Sequence, residues 1–149
     1  MRTDISGILL DMNDCLFCKI VKGEIPSYKI YENEKYLAFL DISQFADGHT
    51  LIIPKKHYRF IWDIDNVGEF YEFAVKVANH FRSLGYEFVD SASFGRLIPH
   101  AHYHLIPNKE DGNDWDNALD NIGDMQKDSN RRLTKEKASE ILAKFAIKE

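Results

Sequence analysis

The chain has 149 residues, a formal net charge of −5 and 44% hydrophobic residues, which is ordinary for one globular domain with its own core. The acidic balance argues against a long nucleic acid partner, because proteins that hold nucleic acid through its phosphates are usually basic. No apolar run reaches the ~20 residues that span a bilayer, and the N-terminal residues lack a signal-peptide pattern. We therefore expect one cytoplasmic domain over residues 1–149 without a membrane partner, in which residues 1–11 form an N-terminal extension.

The first third of the chain predicts one short helix and three strands. Cys15 to Gly23 is typical of a helical turn that ends at a glycine. Alternating apolar residues and turn signals, among them Asn33-Glu34 and Asp47-Gly48, then predict strands. These strands cover residues 28–31, 35–41 and 49–54.

A long helix follows, because apolar residues recur at helical spacing on one face: Val67, Phe70, Tyr71, Ala74, Val77, Ala78 and Phe81. Asn66 suits its N-terminus and Gly85 suits its end. Residues 86–89 and 100–106 are predicted as the fourth and fifth strands, the fifth lying between two prolines. The element order therefore interrupts a run of strands with one helix.

The last part of the chain, residues 109–149, combines an acidic excursion with a C-terminal helix. Residues 109–130 are rich in Asn and Asp, which predicts a surface segment. The helix presents one apolar face, made of Ala138, Ile141, Leu142 and Phe145. Because short connections favour antiparallel pairing, we predict an α+β fold: a five-stranded antiparallel sheet with one long helix packed on it and a C-terminal helix.

Three of the six histidines, His100, His102 and His104, lie within five residues. On a strand, alternate side chains point to one face, so the three imidazoles are expected to share a surface. Imidazole titrates near neutral pH and can act as a nucleophile, a base or an acid. Histidines two apart on a strand can also share a zinc ion. The spacing by itself leaves both chemistries open.

This pattern resembles the histidine triad (HIT) signature, three histidines separated by apolar residues. Cys15 to Ser27 resembles the opening segment of that family, and residues 37–42 and 48–57 resemble its central strands. The resemblance covers residues 13–107 in order. It implies a nucleotide hydrolase or transferase that acts on a purine nucleotide and forms a homodimer.

The resemblance also implies a role for each histidine near the phosphates. His102 matches the residue that attacks the α-phosphorus and carries a nucleotidyl-histidine intermediate. A neutral imidazole can do so if one nitrogen keeps its lone pair while the other donates to a fixed acceptor, such as a backbone carbonyl. His104 and His49 match positions that face the phosphates, where either can donate to the developing charge.

The nucleotide pocket is likewise implied by the resemblance. Asp41 matches the carboxylate that accepts both ribose hydroxyls, although by itself it is a strand-end turn residue. The base pocket is matched by apolar residues that would also suit an ordinary core: Phe17, Ile20, Phe39 and Leu51. The chain departs from the family before the triad, where Arg96-Leu97 replaces the usual Gln-Ser or Gln-Thr. The guanidinium fork of Arg96 suits a phosphate.

Two cysteines three positions apart, Cys15 and Cys18, are the remaining signal. Alone they fit two buried thiols or a redox pair, although a redox pair usually lies in a βαβ setting. The resemblance adds His57 and His100, since some branches of the family hold zinc with these four positions. Two sulfurs and two nitrogens suit a closed tetrahedral site, in which Zn²⁺ would be structural.

Two other functions stay open at this stage. Loss of the usual hydroxyl at Leu97 fits a nucleotide- or partner-binding module with little turnover. A zinc metallohydrolase with its ion on the three-histidine strand is the other alternative.

Overall fold

A five-stranded antiparallel sheet forms the centre of the computed structural model, which describes residues 14–108 and 127–149. The strand order is β1-β2-β3-β5-β4. The strands are β1 (Lys29–Glu32), β2 (Tyr36–Leu40), β3 (Thr50–Pro54), β4 (Phe88–Ala92) and β5 (Tyr103–Asn108). The helices are α1 (Leu16–Val21), α2 (Val67–Ser83) and α3 (Lys135–Phe145), with short 3-10 turns at Ile61–Asp63 and Ser129–Arg131. The predicted α+β class is confirmed. The predicted extension at 1–11 and most of the acidic excursion lie outside the described residues.

The two faces of the sheet have different partners. Both β2 and β3 are buried along their whole length. Alternate residues of these strands point to opposite faces. Ala38 and Ile52 lie in a core with α2 and α3, and Phe39 and Leu51 lie in a smaller core with α1. The second face, where Phe39 pairs with Leu51 and Leu51 pairs with His104, carries the functional residues. No helix of the described residues is long and apolar enough to cross a membrane.

Helix α2 begins and ends as predicted, but two details differ. Asn66 is its N-cap, as predicted, although it adopts a left-handed backbone (φ 50°) and makes no side-chain capping bond. The buried face contains Phe73, whereas Val67 and Tyr71 are more than one third exposed. The buried stripe is therefore rotated from the predicted one, because α2 lies over the sheet on its Phe73 side. Gly85, with φ 98°, follows the helix end as expected.

The last two strands are displaced from their predicted bounds. β4 begins two residues later than predicted, since Tyr86 instead packs on Phe145 with ring centroids 5.0 Å apart. β5 begins only at Tyr103, because the amide of Ala101 donates to Tyr58 O (2.7 Å) in the loop after β3. β5 also runs through Pro107. Proline is tolerated there because β3 pairs with β5 only as far as residue 105.

Gly48 lies where α3 meets the turn before β3. Its φ is 97°, and a Cβ there would lie 2.7 Å from the ring of Phe145 and 2.8 Å from Pro107. Only glycine allows this approach. Phe145 in turn packs on Phe81 with centroids 5.3 Å apart, so α2 and α3 together fix the turn that carries His49.

Candidate functional site

The three histidines of the triad share one face, as predicted, although only His104 lies within a strand. His100 and His102 form edge-on contacts with Phe17 of α1, at centroid distances of 5.8 and 5.3 Å. Ala101 lies on the opposite side, in the core with α2. The extended backbone of residues 100–102 preserves the alternation that a strand would give.

His102 is held as a neutral imidazole with one free lone pair. Its Nδ1–H donates to His100 O at 2.7 Å, which leaves Nε2 without a proton. Burial lowers the pKa of His102, and the charge of Arg59 lowers it further, although the bond to His100 and the Asp41 carboxylate oppose this. Ser93 Oγ donates to His102 O (2.9 Å) and fixes the backbone. This arrangement suits a nucleophile at neutral pH.

His49 and His104 form a chain of hydrogen bonds, which we call the histidine relay. The amide of Phe45 donates to His49 Nδ1 (3.1 Å), so His49 carries its proton on Nε2. That proton is donated to His104 Nδ1 at 2.8 Å. The His104 proton is then on Nε2, on a residue that lines a cavity. The tautomers follow from the order of donors and acceptors.

The relay corrects the expected position of His49. His49 is fully buried and both of its ring nitrogens have protein partners, so it orients His104 instead of facing a ligand. Burial lowers the pKa of both His49 and His104 to about 3, which keeps both rings neutral at physiological pH. Asp41 Oδ2 lies 3.6 Å from His49 Nε2 and 3.9 Å from His104 Nδ1.

Gln44, which sequence reasoning missed, clamps the loop between Asp41 and His49. Its amide nitrogen donates to Asp41 O (2.5 Å) and to His49 O (2.7 Å). Its amide oxygen accepts from the backbone N–H groups of Gly48 (2.8 Å) and His49 (3.1 Å). Asp41 Oδ1 accepts from Ser43 N–H (2.9 Å). A buried amide with all these bonds rigidly places the carboxylate and the relay.

A cavity of about 360 Å³ opens beside His102 and His104. Its size and its mostly apolar walls suit a small organic ligand. The structure brings together there most of the residues predicted to hold a nucleotide: Phe17, Ile20, Phe39, Asp41 and Leu51. Arg96 is exposed and does not line the cavity, whereas its neighbour Leu97 does.

Arg132 lines the cavity and is a second residue that sequence reasoning missed. It reaches the cavity because residues 132–133 lie against the strand-end loop after Asp41: Ser43 and Arg132 form an antiparallel bridge, and Leu133 N–H donates to Ile42 O (2.9 Å). Arg132 is the second of two adjacent arginines after an acidic stretch, and this pattern carries no local signal of such pairing.

Cys15, Cys18, His57 and His100, here called the cysteine cluster, place their ligand atoms within 4.8 Å of one another. His57 Nδ1 lies 3.2 Å from Cys18 Sγ, and His100 Nδ1 lies 3.4 Å from Cys15 Sγ and 3.5 Å from Cys18 Sγ. A zinc tetrahedron with ordinary bond lengths has sulfur-to-nitrogen edges of about 3.6 Å. The four donors therefore fit a closed zinc site.

The surroundings of the cysteine cluster support the same fit. His100 Nε2–H donates to Pro54 O (2.8 Å), which orients the ring and leaves Nδ1 as the ligand atom. Burial and the neighbouring Cys15 raise the pKa of the Cys18 thiol to about 12, so its thiolate form needs a cation beside it. Cys15 also caps α1, since its Sγ accepts from Cys18 N–H.

The three triad histidines do not converge on one point. Among the described residues, the groups that can hold a metal are the cysteine cluster and the set of Asp41, His49 and His104; His102 belongs to neither. His100 points to the sulfurs and His104 is bonded to His49. This geometry does not support a zinc ion shared by the three.

Residues 22–111 match the model of the HIT domain. The chain belongs to the histidine triad family. It is 42% identical to Protein hit of Bacillus subtilis over 63% of this chain and 70% of that protein. It is 37% identical to the adenosine 5′-monophosphoramidase of Candida albicans over 65% of this chain and 72% of that protein. A zinc-bound histidine triad family protein from Mycobacterium smegmatis has a TM-score of 0.68 and 27% identity, covering 89% of this chain and 94% of that one.

Proposed function

We propose that this HIT protein cleaves a substituent from the α-phosphate of a purine nucleotide, through a nucleotidyl-histidine intermediate on His102. The observation that carries the proposal is the lone pair of His102 Nε2, held at a cavity by the bond from Nδ1–H to His100 O (2.7 Å). The HIT relative named as an adenosine 5′-monophosphoramidase supports the substrate class. The phosphoramidate and dinucleoside polyphosphate types of substrate both fit this scheme.

The cavity divides into three parts in this proposal. The apolar residues of α1, β2 and β3 hold the base by stacking and apolar contact: Phe17, Ile20, Phe39 and Leu51. The Asp41 carboxylate accepts the ribose hydroxyls. The α-phosphate then lies against His102 and His104.

The reaction has two displacements at phosphorus. In the first, the Nε2 lone pair of His102 forms a bond to phosphorus, and the bond to the leaving group breaks with its electron pair. His104 Nε2–H donates to a phosphoryl oxygen, where charge develops, and His49 keeps that proton on Nε2. In the second, water forms a bond to phosphorus as the P–N bond breaks, and the electron pair of that bond returns to His102 Nε2. The proton that the water loses passes to the solvent, and an amine leaving group takes up one proton from the solvent, so the two steps balance.

Zinc at the cysteine cluster would be structural. Cys15, Cys18, His57 and His100 fill four positions, which leaves none for water or substrate. Their binding of the ion would fasten α1, and with it Phe17, to the segment that carries His102. The homodimer and the cytoplasmic location remain predictions.

A binding module with little turnover is the second candidate. It is favoured by Leu97, which lines the cavity, is 72% exposed and has no hydroxyl to assist a leaving group.

Rapid quenching tests the first function against the second. The zinc-loaded protein is mixed with an adenosine phosphoramidate labelled at the α-phosphorus. The reaction is quenched in alkali, because an imidazole–phosphorus bond is labile in acid. Peptide mapping then locates the label. We expect label on the peptide with His102, none in His102→Ala, and unchanged labelling in His80→Gln, which alters a histidine of α2. Turnover without label on that peptide would refute the covalent mechanism. Tight nucleotide binding with neither label nor turnover would favour the binding module.

A further inference from the structure

The C-terminal segment contributes an arginine to the wall of the cavity. Of the described residues after Asn108, only Arg132 lines this cavity. Arg132 also lies outside residues 22–111, the part of the chain that matches the HIT domain. No other lysine or arginine occurs among the described residues that line the cavity. A guanidinium at a mostly apolar wall offers several hydrogen-bond donors to a ligand.

Two backbone contacts hold Arg132 against the loop that follows Asp41. Ser43 and Arg132 form an antiparallel bridge, and Leu133 N–H donates to Ile42 O (2.9 Å). Residues that lie opposite each other in such a bridge project their side chains to the same face. Ser43 and Arg132 both line the cavity, in agreement with this geometry. The backbone therefore places Arg132 on the cavity wall, without the help of a side-chain contact.

This part of the wall also carries the carboxylate of Asp41. Ser43 N–H donates to Asp41 Oδ1 (2.9 Å), and Ser43 is the residue that pairs with Arg132. The two histidines proposed to face the α-phosphate, His102 and His104, come from the segment at β5 instead. A nucleotide whose ribose is held by Asp41 therefore presents that ribose, and not its phosphate, to Arg132.

The guanidinium of Arg132 is available to a ligand. Arg132 is exposed, and none of the ion pairs among the described residues includes it. Its neighbour Arg131 differs, since Arg131 Nε lies 3.7 Å from Asp128 Oδ2 and Arg131 does not line the cavity. A ribose hydroxyl that donates its proton to a carboxylate keeps lone pairs on its oxygen, which can accept from a guanidinium N–H. Asp41 and Arg132 thus offer the acceptor and the donor that a hydroxyl can use together.

We propose that Arg132 binds the ribose of the nucleotide, by donating from its guanidinium to the hydroxyl oxygens whose protons Asp41 accepts. This inference rests on the function proposed above, in which Asp41 holds the ribose. The ribose is then recognised by two separate segments of the chain, the end of β2 and the segment before α3. A nucleotide without these hydroxyls loses both contacts, so the preferred substrates are ribonucleotides.

The test measures binding, so that it does not depend on turnover. The zinc-loaded protein is titrated with adenosine, 2′,3′-dideoxyadenosine and AMP, which share one base. Arg132→Gln is expected to lower affinity for adenosine and AMP alike by about five- to tenfold, because it removes a charged hydrogen bond to the hydroxyls. Affinity for 2′,3′-dideoxyadenosine should change less than about twofold. Arg132→Lys keeps a charged donor without the fork and should show a smaller loss. Arg131→Gln removes the adjacent charge and should change none of the three affinities.

These substitutions should leave the wall in place, because the bridge to Ser43 and the bond to Ile42 O are made by the backbone. An unchanged melting temperature checks this. Equal losses for adenosine and 2′,3′-dideoxyadenosine, or no loss for either, would overturn the role of Arg132. A loss for AMP alone would mean that Arg132 contacts the phosphate, and would overturn it as well.

The labelling experiment separates this inference from the proposed function. Label on His102 together with unaltered nucleoside binding by Arg132→Gln would remove this inference alone. Binding of adenosine that depends on Arg132, without label on His102, would remove the proposed reaction and keep the ribose contact. A wild-type protein that binds none of the three ligands would remove both.

Discussion

His100 and His104 lie four residues apart on one extended segment and both are buried, yet their neighbours differ in kind. At His100, the Nδ1 atom faces two cysteine sulfurs and the second ring nitrogen donates to Pro54 O. At His104, the Nδ1 atom accepts from another histidine, which is itself oriented by a backbone amide. The surroundings of His100, the first end of the segment, place metal-ligand atoms around one point. The surroundings of His104, the second end, fix its proton on Nε2, on a residue that lines the cavity.

The difference shows that neighbours, and not the histidines, decide the chemistry of each end. Sulfur and nitrogen donors that converge at 3.2 to 3.5 Å have the spacing of a zinc tetrahedron. His49 and His104 use their facing ring nitrogens for a hydrogen bond to each other at 2.8 Å. His102 lies between the two ends and is bonded to neither side chain, so its lone pair stays available.

Cys18→Ser should disrupt the cysteine cluster, and we expect it to change stability more than the other variants do. Serine replaces a thiolate ligand, so zinc is expected to fall from about one per chain toward zero, and the free energy of unfolding to fall by several kcal/mol, because structural zinc binding is coupled to folding. Metal analysis and urea unfolding measure the two quantities. Unchanged stability in the metal-free variant would contradict a structural role for the cysteine cluster.

His49→Phe should disrupt the histidine relay and leave the cysteine cluster intact. Without His49, the proton of His104 is no longer fixed on Nε2, so kcat should fall about 10²- to 10³-fold, as for the loss of one donor to a developing charge. The KM should change only a few-fold, and zinc content should equal that of the wild type. Steady-state kinetics with metal analysis checks this. Equal damage to zinc binding and catalysis would mean that the surroundings of His100 and His104 do not act independently.

The stability of the protein should also depend on pH, because His49 and His104 stay neutral in the fold. Burial lowers the pKa of His49 and His104 to about 3, below the unfolded value of about 6.5. The unfolded chain therefore binds more protons than the folded one in this window, and stability is lost as pH falls from about 6.5 toward 3. Between about pH 7.5 and about pH 5.5, each ring should contribute a loss of roughly 1.4 kcal/mol in the free energy of unfolding.

Urea unfolding of wild type and His49→Phe at both pH values isolates this contribution. The variant lacks one of the two titrating rings, so its loss on acidification should be smaller. An equal loss in the two proteins would mean that His49 does not stay neutral in the folded state.

Local patterns were sufficient for the α+β class, the order of elements and the shared face of the histidines. Apolar spacing identified α2 and α3, and alternation placed His100, His102 and His104 together, because both periodicities follow from backbone geometry alone. The strand limits near Tyr86 and Tyr103 were missed by two or three residues. They depend on the ring of Phe145 and the carbonyl of Tyr58, which come from distant parts of the chain.

What the sequence determined by itself was the identity of the reactive side chains: the histidine triad, the cysteine pair and Asp41. Only the tertiary structure decided what each one faces. It buried His49 behind His104, left Arg96 exposed, and brought Gln44 and Arg132 to the site from positions that carry no local pattern. The physical reason is that a hydrogen bond forms only between groups that the fold brings close together in space. For Arg132 and Ser43 those groups lie far apart in the sequence.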